Sequence, residues 1–370
     1  MEDNQRRRWR DRRGDDMSAL VKGLHHVTLC PGGAQEDLDF FTQVMGQRLV
    51  KQTVLMDGSI PVYHFYYGNA EADVGSIATT FPYSRRRGRA GSGQVSAISY
   101  SVPIGTLPFW SGHFDRSGAD HSGILERFGA RYIRVRHPAG LLLEVVEDAG
   151  DRRHPWTTSA ITADVATRGF FAAVLSVRDV CEQESFLTEA LGFRKVGVDG
   201  PYHRFKIPWG GRARVIDLLH EPDRPGGSWG FGAGTVHHLA FNVETDEALL
   251  RQKAIYEELG FTDASELKDR YYFHSLYVRS PGGILVECTS NVPGGFYQDE
   301  SFEELGTRLH LPPWFEDQRE AIVAMLEPIV VPDAGLPSGS PLRAEPSAGR
   351  GTEPGIALSR TKPRFSAHKR

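Results

Sequence analysis

VHHLAFNV, Val236 to Val243, and SPGGILVE, Ser280 to Glu287, are the two ends of one unit, and each has an echo earlier in the chain. LHHVTL at Leu24 to Leu29 repeats the first end. HPAGLLLE at His137 to Glu144 repeats the second, with the same spacing from Pro to Glu. The chain thus carries two His-His doublets and two Pro-x-Gly-x-Leu-x-Glu endings.

Strand alternation sorts each doublet. Val236, His238, Ala240 and Asn242 fall on one face, and His237, Leu239, Phe241 and Val243 on the other. The second face is the oilier, suited to packing against a helix, whereas the first can line a cavity. The same reasoning groups His26 with Thr28 and Cys30, apart from His25, Val27 and Leu29. His238 and His26 therefore point into a common polar space. Two neutral imidazoles and one carboxylate make a facial triad that holds a divalent metal and leaves positions open. Either Glu287 or Glu144 can supply the carboxylate. A lone strand histidine is ordinarily a hydrogen-bonded packing residue, but two doublets in repeated context favour a metal site.

Outward from these ends, a strand-helix-strand-strand-strand unit recurs four times. The first copy runs from LHHVTLC through a helix over Gln35 to Gly46, where Leu38, Phe41 and Met45 have helical spacing and Gly46 caps. The second opens with QVSAISYSV and has a helix over Leu107 to Arg116. The third opens with GFFAAVLSV, and Gly192 stops its helix; the fourth has a helix over Asp246 to Leu259, stopped by Gly260. Copies two and three open without histidine. Units this short should pair and share cores. The expectation is an α+β chain of two domains, residues 18–150 (modules 1 and 2) and 169–331 (modules 3 and 4), each an open barrel with a cavity. Residues 151–168 would link them, and a short helix over Glu316 to Leu326 would dock on the body.

The chain has 370 residues with 40% hydrophobic and 24% charged residues and a net charge of −4. That balance suits a globular protein and gives no general basic field for nucleic acid. No apolar run approaches the roughly 20 residues of a membrane span, so neither nucleic acid nor membrane is an expected partner. Three unpaired cysteines, Cys30, Cys181 and Cys288, fit a reducing, cytoplasmic setting. Residues 1–17 are polar, with no apolar segment that would make them a signal peptide, and read as a disordered extension; Met17 is a candidate start. Residues 332–370, rich in Pro and Gly, read as a disordered tail. GGSWGFGAG at Gly226 to Gly234 lacks the strand and helix that a dinucleotide loop requires. His64, His203 and His274 read as packing or hydrogen-bonding residues.

The segments GLHHVTLCPGGAQEDLDFFTQVMGQRLVKQTVLMDGSIPVYHFYYG, VIDLLHEPDRPGGSW, YVRSPGGILVE and EPIVV resemble the hydroquinone and chlorohydroquinone 1,2-dioxygenases, ring-cleaving enzymes of the vicinal oxygen chelate (glyoxalase) superfamily. The resemblance implies Fe(II), with Mn(II) also admissible, at His26, His238 and Glu287. It implies that His25, Thr28, His237, Arg270 and Tyr277 surround a small aromatic substrate and O2. Strict alternation turns His25 and His237 away from the cavity, so the two lines of reasoning diverge there. The rivals are a glyoxalase-type isomerase or thiol transferase, which Glu144 in the cavity would favour, and a metal-free aromatic- or drug-binding protein. A homo-oligomer is left open.

Overall fold

Each of the four repeats folds as one strand, one helix and three further strands in the computed structural model, which describes residues 20–57 and 59–332. The expected extension at 1–17 and the tail from 333 onward lie outside the described residues. Module 1 comprises β1 (Leu24–Cys30), α1 (Ala34–Asp39), β2 (Arg48–Asp57), β3 (Ile60–Gly68) and β4 (Ile77–Thr80). Module 2 comprises β5 (Gln94–Val102), α2 (Leu107–Ser117), β6 (Leu125–Arg127), β7 (Ala130–Arg136) and β8 (Leu142–Glu147). Module 3 comprises β9 (Gly169–Val177), α3 (Val180–Ser185), β10 (Arg194–Asp199), β11 (Tyr202–Lys206) and β12 (Val215–His220). Module 4 comprises β13 (Thr235–Asn242), α4 (Asp246–Glu258), β14 (Lys268–Asp269), β15 (Phe273–Arg279) and β16 (Leu285–Asn291).

Helix α4 shows why the sequence takes this form. Thr245 caps it by accepting a hydrogen bond from Ala248 N at 3.2 Å, and Asp246 and Glu247 favour its positive end. Ala248, Leu249, Gln252, Ile255 and Tyr256 make one buried stripe. The first-module helix is less regular than its spacing predicts: α1 widens into a π-helical turn, Phe40–Val44, before Gly46 closes it at φ +63°. Module 3 repeats this, with a π-helical turn over Phe186–Ala190 before Gly192.

The modules do not pair in chain order. One 8-stranded sheet has the order β14-β15-β16-β13-β1-β4-β3-β2 and the other β10-β11-β12-β9-β5-β8-β7-β6. Modules 1 and 4 therefore share a sheet, as do modules 2 and 3, which corrects the division at residues 18–150 and 169–331. Module 1 meets module 2, and module 3 meets module 4, instead through helices and Pro-x-Gly turns. Asp37 of α1 lies 3.5 Å from His137 in the module 2 turn, and Gln183 of α3 accepts from Gly282 N in the module 4 turn. Tyr256 of α4 stacks parallel to Phe186 with ring centres 6.0 Å apart. One buried hydrophobic cluster runs through all four modules, and the described residues form one compact unit. Segment 151–168 is packed rather than free: Ile161 is fully buried, and a Cβ on Gly46 would come within 2.6 Å of it.

Past β16 the chain returns across the module 1 edge. The expected docking helix is a 3-10 turn, Pro313–Gln318, running into α5 (Arg319–Met325), whose Ile322 packs with Val54 and Leu311. Lys51 of β2, wholly buried, anchors this segment by donating to Asp299 Oδ1 at 2.6 Å, to Phe296 O at 3.2 Å and to the Glu300 carboxylate. No helix among the described residues is long and apolar enough to cross a membrane. Removing one partner of a buried ion pair strands the other in low dielectric. Lys51→Ala should therefore cost about 3–5 kcal/mol in urea unfolding, with the loss largest in protection of residues 295–326 from amide exchange.

Candidate metal centre and its cavity

β1 and β13, which carry the two doublets, are hydrogen-bonded to one another in antiparallel register. His26 faces Ala240 and Thr28 faces His238, so both inner imidazoles emerge at the middle of the sheet. Beside them β16 runs parallel to β13 and sets Glu287 against Ala240. The donor atoms of His26, His238 and Glu287 lie within 4.8 Å of one another, and all three residues are buried. The two Nε2 atoms are 3.1 Å apart; Glu287 Oε2 is 2.8 Å from that of His238 and 3.5 Å from that of His26. Val27, Leu29, Leu239 and Phe241 pack in the core on the opposite face, as the pleat requires.

The outer histidines depart from strict alternation because both strands bulge. Leu24 pairs with Phe241 but His26 with Ala240, leaving His25 as an extra residue on β1. Thr28 pairs with His238 but Leu29 with Val236, leaving His237 as the extra residue on β13. A bulge re-aims side chains and is common beside functional sites. Each doublet thereby acquires the same geometry: His25 Nδ1 to His26 Nδ1 at 2.9 Å, and His237 Nδ1 to His238 Nδ1 at 2.7 Å.

The protons follow from one amide. His25 Nε2 lies 2.8 Å from Asn291 Oδ1, an acceptor, so Nε2 must carry the hydrogen. Burial, then the field of His26, pushes His25 down to about 3, so the ring is neutral and its Nδ1 is an acceptor. His26 Nδ1 must then donate, which leaves the His26 Nε2 lone pair facing His238 and Glu287. His25 does not line the cavity. The structure puts it behind His26, as a positioning residue, rather than against the substrate.

Glu287 completes the set. Its Oε1 accepts from the Ser275 hydroxyl, while Oε2 is buried with no well-directed hydrogen bond. Burial alone opposes its ionisation, but His26 and His238 outweigh that and hold the carboxyl well below the usual range. An ionised, half-satisfied carboxylate facing two imidazole nitrogens is what a divalent cation would complete. The donor set fits the metal implied by the sequence.

The same register explains why Glu144 does not serve. In the second sheet β8 sets Glu144 against Ser99, as β16 sets Glu287 against Ala240. Two residues before Ser99 stands Ala97, where His238 stands before Ala240. Likewise β12 sets Asp217 against Val174 as β4 sets Thr79 against Thr28, and two residues earlier Ala172 stands where His26 does. Both histidines are thus alanine in the second sheet. Glu144 is instead neutralised by Arg127 at 2.8 Å and Arg134 at 2.6 Å, with Ser99 also donating. The carboxylate that the isomerase reading needed is already committed.

Above the triad opens a cavity of about 700 Å³. His237, Thr28, Arg270 and Tyr277 line it, together with an apolar belt of Phe81, Phe231, Phe273 and Leu285. Pro312, Trp314 and Phe315 close its outer side. Arg270 Nε donates to Tyr277 Oη at 3.2 Å. Burial works against the guanidinium charge, but Tyr277 and Glu287 more than restore it, so Arg270 stays cationic. Burial, then Glu287, pushes the Tyr277 phenol up, so it stays protonated. Burial, then His238, pushes His237 down to about 3, leaving it neutral. Thr28 Oγ1 bridges Thr79 Oγ1 at 2.7 Å and His238 Nε2 at 2.8 Å. Sequence reasoning missed Asn291, Ser275 and Thr79. The pleat was the available signal for two of them, since Asn291 lies four residues beyond Glu287 and Ser275 two before Tyr277.

The chain belongs to the Glyoxalase/Bleomycin resistance protein/Dioxygenase superfamily, whose family model matches residues 169–288. Within it the chain stands among the ring-cleaving dioxygenases. It is 40% identical over 316 residues to the chlorohydroquinone/hydroquinone 1,2-dioxygenase of Sphingobium indicum, covering 84% of this chain and 98% of that one. The putative ring-cleaving dioxygenase MhqO of Bacillus subtilis is 37% identical over 316 residues, 85% of this chain and 99% of the relative. The crystal structure of a putative dioxygenase from Bacillus subtilis superposes with a TM-score of 0.80 at 36% identity, over 85% of this chain and 99% of that one. The vicinal oxygen chelate fold expected from the sequence is the fold observed.

Two predictions separate the sheets. Substituting a residue that orients a ligand ordinarily costs 10- to 100-fold in metal affinity; His25→Ala should weaken retention of a divalent metal by about that factor in chelator competition, and Asn291→Ala should weaken it less. Glu144→Ala should leave metal retention unchanged but cost about 3–5 kcal/mol of stability. Burial opposes ionisation of Glu144, and Arg127 and Arg134 reverse that, lowering its carboxyl below the ordinary 4.5. Its stabilisation is complete above that value and fades as pH falls through the folded one. Urea midpoints of wild type and Glu144→Ala should therefore converge below pH 4.5.

Proposed function

We propose that His26, His238 and Glu287 hold Fe(II), and that the chain uses O2 to open the ring of a hydroquinone between a hydroxylated carbon and its neighbour. Mn(II) suits the same donors. The observation that carries this is the buried Glu287 Oε2, with no directed hydrogen bond and two imidazole nitrogens before it, at the floor of an aromatic-walled cavity. The substrate class follows from the likeness to the Sphingobium enzyme. When bound, the metal supplies Lewis acidity toward a substrate hydroxyl and a common attachment point for ring and oxygen.

The protein's own groups do the rest. With His238 Nε2 committed to the metal, His238 Nδ1 donates to His237 Nδ1, so His237 presents an Nε2–H to the cavity. That makes His237 a neutral donor, able to pass one proton to oxygen as negative charge develops there. Arg270 is the fixed cation of the site and holds Tyr277 in place through the Oη contact; together they stabilise an anionic ring. The aromatic belt accepts a flat ring, and the Pro312–Phe315 cover limits water.

Oxygen uptake tests the reading. Protein loaded anaerobically with Fe(II) should consume O2 with hydroquinone, methylhydroquinone and 2,6-dichlorohydroquinone, yield an open-chain acid, and respond weakly to catechol. His237→Phe should lower kcat per iron bound about 10²-fold or more. Iron and turnover both surviving in Glu287→Ala would overturn the assignment.

A further inference from the structure

The wall of the cavity facing away from the triad carries a second polar pole. β3 and β2 close this side of the sheet, with Thr53 paired directly against His64, and both side chains line the cavity. His64 Nδ1 is held by Tyr66 Oη at 3.2 Å, and its Nε2 makes no hydrogen bond among the described residues. Thr53, only 4% exposed, has a buried Oγ1 with no partner among the described residues. Leaving a buried hydroxyl without a partner is unfavourable, so its persistence points to a ligand atom that satisfies it. Burial, then the fields of His26, His238 and Arg270, keeps His64 uncharged.

The spacing is suggestive of what that ligand is. β3 lies two strands from β1 in the sheet, roughly 10 Å at about 4.8 Å per strand. Phe81 lies between the two poles, its ring centre 4.5 Å from that of His64 and 5.6 Å from that of His237. Polar end, apolar belt, polar end is the pattern of a flat ring with a hydroxyl at each of two opposite positions. An ortho-diol directs both oxygens to one pole and leaves the other unsatisfied.

We propose that Thr53 and His64 bind the hydroxyl para to the metal-bound one and so select para-diols over ortho-diols and monophenols. The inference rests on the dioxygenase reading above and assigns a role to a histidine that the sequence suggested was a packing residue. Tyr66 is a positioning residue, fixing the His64 ring so that Nε2 faces the substrate.

The test is anaerobic calorimetry on Fe(II)-loaded protein, where binding is read without turnover. Wild type should bind hydroquinone about tenfold or more tighter than 4-methylphenol, which lacks the second hydroxyl. Thr53→Val and His64→Phe should each shrink that preference severalfold and leave 4-methylphenol affinity nearly unchanged. His64→Gln, whose amide still reaches a hydroxyl, should keep most of it and guards against a folding defect in the Phe variant. A preference that is absent in wild type, or that survives in both Thr53→Val and His64→Phe, overturns the proposal. Oxygen uptake and iron content of the same wild-type preparation report separately on the dioxygenase reading.

Discussion

The structure depends on one strand pairing, β1 against β13, which joins the first module to the last across more than 200 residues of chain. Neither doublet makes a site alone. Antiparallel register brings Thr28 opposite His238 and His26 opposite Ala240, and the parallel neighbour β16 adds Glu287. Three ligands from strands distant in sequence thus meet on a rigid sheet, where small displacements cost more than on a loop. The remaining two modules pair in the same way through β5 and β9. Modules 1 and 2, and modules 3 and 4, are left to meet through helices and Pro-x-Gly turns.

Bulges turn that pairing into a site. An unbroken pleat would send the two imidazoles of each doublet to opposite faces. With one extra residue on each strand, the outer imidazole swings back to hydrogen-bond the inner one through Nδ1. The two halves then differ in use. His25 is sealed behind His26 by Asn291 and fixes a tautomer, whereas His237 opens to the cavity. Near-symmetric local structure, different surroundings and different roles come from one repeated dipeptide.

Much of this was legible in the sequence. The four modules, the helices ended by Gly46, Gly192 and Gly260, and the inward turn of His26 and His238 all follow from periodicity and turn chemistry. Module pairing was not, because the rule that sequential elements are neighbours favours chain-order domains. Yet the expected ligand set argued against that division. His26 belongs to the first module and His238 to the fourth, so a single site requires those modules to adjoin. The bulges left no mark in the residue pattern, since a one-residue insertion in a strand of mixed polarity does not disturb its composition. His64 escaped for a related reason: a lone histidine on a strand reads as packing until the wall it faces is known.

The second sheet shows the same register without the two histidines. At matching register it keeps a buried carboxylate, Glu144, but has Ala97 and Ala172 where the sheet of modules 1 and 4 has His238 and His26. Such a carboxylate cannot stay buried and ionised alone. Two guanidiniums now neutralise it, and Arg127 also reaches Asp217 at 2.9 Å. Arg127 occupies the register of Arg270, and Arg134 that of Tyr277, so the compensating charges stand where the first sheet has two residues that line the cavity. A cation is required at this point of the fold in both sheets. One supplies it permanently with arginine; the other sets His26 and His238 before Glu287, a group that could hold a divalent ion beside the cavity.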